Sequence, residues 1–188
     1  MIFRSYQPSP VLSDFVDFLW AYKGFDSPRL KERIFPSGTF ELVFNLRDDE
    51  VRIYKDARPD VCRRYSGAIV SGPYAGPFLT DTALEASVMG VHFKPGGAFP
   101  FLRPPADELR DTHIDLEAIW GRAVAEIRNK LCETISLARR FHLLERFLVS
   151  RVYRPMQHHG AAVPHTRITS YAKPNCTSGE SFAVAAFS

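Results

Sequence analysis

GVHFKPGGAF, residues 90–99, divides the chain. Gly90-Val91-His92-Phe93 is short, apolar and extended in character. Lys94-Pro95-Gly96-Gly97 behind it is the most turn-prone tetrapeptide in the sequence. A glycine-rich loop can cradle phosphate, but that use needs a spacing such as G-x-x-x-x-G-K-[ST] or G-x-G-x-x-G at the start of a helix. Neither spacing is present, and Pro95 removes one backbone donor. The stretch reads as a corner, with strands before it and helices after it.

Upstream, the texture is that of short strands. Phe40, Leu42, Phe44 and Leu46 alternate with Thr39, Glu41, Val43 and Asn45, which is period two with one wholly apolar face. Ile34-Phe35 precedes it across Pro36-Ser37-Gly38. Val51–Tyr54 alternates again after the charged turn Arg47–Glu50. Ala68–Ser71, Phe78–Thr80 and Ala86–Phe93 follow, each bounded by Gly or Pro. Polar 57–64, with Pro59, reads as an exposed loop. Gly72–Pro77 reads as punctuation at the rim of a barrel mouth. About five or six short strands with regular turn signals predict a barrel or sandwich. Leu12, Phe15, Val16, Leu19 and Trp20 fit a helical stripe, yet Phe18–Tyr22 is also a good strand, and periodicity leaves both open.

Downstream, the period changes to that of a helix. Ala98–Leu102 makes one turn before Pro104-Pro105. Leu116, Ile119, Trp120, Val124, Ile127 and Leu131 form an amphipathic stripe with Asp115 as N-cap. Thr134 or Ser136 caps a second helix carrying Leu137, Phe141, Leu144, Leu148 and Val152, ended by Pro155. The two read as an antiparallel helical hairpin over 115–131 and 136–152. Residues 156–188 are rich in Ser, Thr, Ala and Pro without sustained periodicity, and read as an irregular tail. The expected class is therefore α+β. A cupin-like antiparallel β-barrel occupies 1–110, a helical linker or dimerisation hairpin 111–155, and the tail 156–188.

The 188 residues are 45% hydrophobic and carry a net charge of +3, which neither demands nor excludes an acidic partner. The N-terminal MIFRSYQPSP has no apolar signal-like region and no apolar run is long enough to cross a membrane, so the expectation is a cytoplasmic protein with no membrane contact. The three cysteines are far apart, with no C-x-x-C spacing. No G-x-S-x-G or H-E-x-x-H motif occurs. His92 is the one histidine in the strand-rich part, too few for a metal-dependent cupin enzyme, so neither metal nor other cofactor is expected and the chain is read as a non-enzyme. His158, His159 and His165 read as tail surface residues. His113, between Asp111 and Asp115, reads as a residue at a helix entrance. Glu41 stands out as an acid between Phe40 and Leu42. If its face points inward it needs a partner or a ligand, and His92 poses the same choice. Glu41, Asn45 and His92 are the candidate ligand-binding residues.

The order of motifs resembles an uncharacterised N-terminal domain of AraC-type transcription regulators over about residues 6–155. It rests on YQPSPVLSDFVDFLW, RIFPSGTFELVFNL, VSGP, GVHFKPGGAFPFL and DLEAIWG, and within them on Pro36-x-Gly38, Gly72-Pro73, Phe93-x-Pro95-Gly96-Gly97 and Leu116-x-x-x-Trp120-Gly121. The resemblance implies a sensory or dimerising domain that holds a small-molecule effector in a cupin-like barrel and forms a homodimer through linker helices. DNA would be read by a separate C-terminal helix-turn-helix domain. The expectation is that this part is absent here, because Arg167, Lys173 and Asn175 alone make no recognition helix. The expectation is a truncated or frame-shifted regulator without autonomous DNA binding. A stand-alone small-molecule binder is the second reading, and a cupin-type enzyme the third.

Overall fold

The computed structural model describes residues 2–24, 30–82 and 87–153. Ten strands precede three helices: β1 (Ile2–Tyr6), β2 (Val16–Lys23), β3 (Leu30–Ile34), β4 (Glu41–Asn45), β5 (Glu50–Lys55), β6 (Arg58–Ser66), β7 (Ala68–Ser71), β8 (Phe78–Thr82), β9 (Ser87–Phe93), β10 (His113–Asp115), α1 (Leu116–Trp120), α2 (Ala123–Glu133) and α3 (Leu137–Ser150). The α+β class holds. The strands, however, do not close into one barrel. They form a six-stranded sheet, β1-β2-β9-β4-β7-β10, and a four-stranded sheet, β3-β8-β5-β6, with antiparallel pairing throughout. The chain crosses from the smaller sheet to the larger at Gly67, between β6 and β7.

The period-two alternation has a direct structural meaning. Residues opposite one another on neighbouring antiparallel strands share a face. Leu19 opposes Val91, Val91 opposes Leu42, Leu42 opposes Val70, and Val70 opposes Ile114. This apolar row, buried except at partly buried Ile114, packs with Phe44, Met89 and Phe93 against Leu116 of α1, Val124, Ile127 and Leu131 of α2, and Phe141, Leu144 and Leu148 of α3. The helical stripes are thus spent on the chain's own core. The opposite face of the large sheet meets the small sheet through a smaller core of Val51, Ile53 and Ile69, flanked by Val43, Tyr65 and Phe78.

The corner at 94–97 is structural. Gly96 sits at φ +74°, a conformation that glycine reaches without strain. Gly97 passes so close to the strand entrance that a Cβ would lie 2.0 Å from the Phe15 carbonyl oxygen. The same carbonyl accepts the Lys94 N–H at 2.9 Å. After the corner, Phe101 and Leu102 bond back to Ala98, completing the expected single turn, and the indole N–H of Trp120 donates to the Phe101 carbonyl at 3.0 Å.

Elsewhere the local reading needs correction. Both options for 12–20 are partly realised: Ser13 and Val16 make helix-like bonds to Ser9 and Leu12, and an extended strand starts at Val16. Residues 57–64, read as loop, fall almost entirely in the edge strand β6 (Arg58–Ser66), whose side chains are mostly exposed, so its backbone pairs with β5 while its arginines stay in water. The first expected helix is broken at Gly121 (φ +63°) into α1 and α2. Asp115 sits at the N-cap position but makes no capping bond; its carboxylate accepts the Ser66 N–H at 2.5 Å and so ties β10 to the sheet crossing. Ser136 does cap α3, accepting from the Arg139 N–H. Residues 156–188, read as an irregular tail and including His158, His159 and His165, lie outside the described residues.

Two polar ties hold helices to strands. Buried Glu145 of α3 accepts the Ser9 N–H at 2.6 Å and the Tyr6 hydroxyl at 3.3 Å. Arg128 of α2 donates to the Asn45 carbonyl at 2.7 Å, the Asp48 carbonyl at 2.8 Å and the Asp49 carboxylate at 2.7 Å.

Candidate functional site

One register line crosses the large sheet near one end of its strands. Phe18 opposes His92, His92 opposes Glu41, Glu41 opposes Ser71, and Ser71 opposes His113. All five therefore present the same face. It is the face turned to the small sheet, because Ile69, two residues before Ser71 on β7, packs there against Val51 and Ile53. The sequence left open whether Glu41 and His92 face inward; the pairing puts both on the face towards the small sheet.

At the centre, Glu41 Oε1 accepts the indole N–H of Trp20 at 2.8 Å. Trp20 reaches it because its ring lies across Gly90, where a Cβ would stand 2.3 Å from the indole. The Nδ1 atom of His92 is 3.6 Å from the same carboxylate oxygen. Its Nε2 lies 3.2 Å from the Thr39 hydroxyl, which is 2.8 Å from that of Ser37 in the β3–β4 connection. Phe18 stacks on the His92 ring, with centroids 4.9 Å apart. His92 is buried, yet the Glu41 side chain keeps 17% of its surface accessible. A chain of polar groups thus runs from exposed Ser37 to a partly accessible carboxylate.

The other end of the row was not legible as a site. His113 does lead into α1, two residues before the Asp115 N-cap position, but it is a buried residue of β10 paired with β7. Its Nε2 lies 3.2 Å from the Ser71 hydroxyl and its Nδ1 2.5 Å from the Tyr74 hydroxyl, with Tyr65 and Phe78 packed around the ring. Burial drives the His113 pKa down to about 4, so at neutral pH the ring is uncharged, with one nitrogen donating and the other accepting. The Tyr74 phenol is pushed up, first by burial and then by Tyr65 and Asp111, and keeps its proton. Asn45 belongs elsewhere. Its side chain donates to the Glu50 carbonyl and accepts the N–H groups of Arg47 and Asp48, so it closes the β4–β5 turn. Among the described residues, no group of three or more His, Cys, Asp or Glu is arranged to hold a metal ion.

Residues 4–115, more than half of the chain, match the family described as "Domain of unknown function (DUF6597)". The chain belongs to this family. No curated protein and no solved structure matches it. The match includes every residue of the polar row and ends at Asp115, so α1–α3 lie beyond the part that the DUF6597 family defines. Among the described residues no helix is long and apolar enough to cross a membrane.

Proposed function

We propose that this DUF6597 domain is the effector-sensing and dimerisation domain of an AraC-type transcription regulator, and that its effector is a small molecule taken up between the two sheets. The observation that carries the reading is the row Phe18–His92–Glu41–Ser71–His113, which places polar groups on an inner sheet face where apolar packing would otherwise be expected. The motifs behind the family resemblance support it by their positions. Pro36-x-Gly38 shapes the connection that carries Ser37 and Thr39, Gly72-Pro73 leads into Tyr74, and the 94–97 corner follows directly on β9. Three of the four motifs therefore adjoin the polar row. In this reading the two-sheet packing acts as the cupin-like barrel of the resemblance, the chain is not an enzyme, and operator DNA is contacted by a separate domain. Dimerisation falls to the α2–α3 corner, where Ile135 is 97% exposed beside Leu143.

A metabolite library of neutral, cationic and anionic members, followed by the NMR signal of the Trp20 indole N–H and by thermal unfolding, tests the ligand site. At least one member is expected to shift that signal and raise the melting temperature together. A library in which binders leave Trp20 untouched would refute the site. Gel filtration of the wild type and Ile135→Glu tests the dimer: the wild type elutes as a dimer and the variant as a monomer.

A further inference from the structure

The charge balance of the inner face narrows the ligand class. Among the described residues no lysine or arginine lies within ion-pair distance of Glu41; its neighbours are the Trp20 indole and His92. A second acid faces the same interior from the small sheet. Glu32 opposes Thr80, and Thr80 opposes Ile53, whose side chain packs towards the large sheet, so all three share that face. Glu32 likewise has no cation at ion-pair distance among the described residues, and burial raises its pKa. The Tyr22 phenol, at the next inward position after Trp20 on β2, is pushed up first by its own burial and then by Glu32. Glu41 thus lies against Trp20, with Phe18 and Tyr22 at the neighbouring inward positions of β2, and Glu32 shares the interior from the facing sheet. Partly desolvated carboxylates without a counter-charge repel anions and favour a cation, and aromatic faces add cation–π attraction for an organic one.

We infer that the effector is a small organic cation, with its ammonium group at Glu41 and its body against Trp20 and Tyr22. The inference rests on the ligand-binding reading and specifies its chemistry. The probe pair is choline and its uncharged carbon isostere 3,3-dimethylbutan-1-ol, with benzoate as the anion, each titrated into the full chain and followed by the Trp20 indole signal. Choline is expected to bind at least about tenfold more tightly than the isostere, a factor that corresponds to about 1.4 kcal/mol. Benzoate is expected not to bind. Glu41→Gln, which keeps an oxygen to accept the Trp20 bond, should weaken choline about tenfold and leave the isostere unchanged. Glu32→Gln should weaken choline less. Equal binding of choline and the isostere, choline binding unaltered in Glu41→Gln, or no choline binding at all overturns the inference. Should the isostere or benzoate bind at Trp20 in that case, the ligand site stands and only its charge preference is lost.

Discussion

Replacing His113 by glutamine and measuring stability against pH isolates the energetics of one buried ring. In the folded chain burial lowers the His113 pKa to about 4, against 6.5 for an ordinary histidine. Between those values the unfolded chain binds the extra proton and the folded chain does not. Stability therefore rises with pH across this window. The contribution is fully present above about pH 6.5 and is lost as pH falls towards 4. At 1.36 kcal/mol per pH unit the difference amounts to about 3 kcal/mol. Urea unfolding from pH 7 to pH 4 should show the wild type losing that much more stability than His113→Gln, whose amide does not titrate in this range. The comparison cancels the other titrating groups to first order. The ring itself offers a check that needs no variant: its NMR signals should stay those of a neutral imidazole down to about pH 5. A His113 ring that titrates near 6.5, or parallel pH curves for the two proteins, would refute the argument, because either result means the ring is hydrated.

Other perturbations follow from close contacts. Gly90→Ala places a methyl group 2.3 Å from the Trp20 ring and 2.6 Å from the Leu42 carbonyl oxygen, so it should cost about 1–3 kcal/mol in urea unfolding and alter the Trp20 indole signal. Gly97→Ala drives a methyl group onto the Phe15 carbonyl, a backbone atom that cannot rotate away, and should raise urea sensitivity at least as much. Glu145→Ala leaves the Ser9 N–H and the Tyr6 hydroxyl without their acceptor and should cost about 1–3 kcal/mol, with Glu145→Gln recovering part of the loss. Arg128→Ala removes three donors to the β4–β5 turn, so hydrogen exchange should accelerate at Arg47 and Asp48 before it does in β9.

The strand at 41–45 was legible because its apolar and polar positions alternate without interruption, and α3 because its stripe and its Ser136 cap agree. β6 was not. Its arginine-rich sequence suits a loop as well as an edge strand, and only pairing with β5 distinguishes them. β10 spans three residues, too few to show a period, and its flanking aspartates suggest a helix entrance. The local pattern around His113 therefore points to a helix start and carries no sign of its pairing with Ser71. Asn45 was correctly placed on the same strand face as Glu41. The adjacent Arg47–Asp48 turn gives Asn45 a structural use instead, since its short amide oxygen accepts the N–H bonds of both residues.

By itself the sequence determined what is local: which residues alternate, where the chain turns, and that an acid and a histidine stand among apolar neighbours. Tertiary structure decided what lies abreast. Phe18, His92, Glu41, Ser71 and His113 come from five separate strands, and no short-range pattern relates them. Their alignment is set by hydrogen-bond register between strands distant in sequence, and a slip of one residue in any of them would turn its side chain to the opposite face.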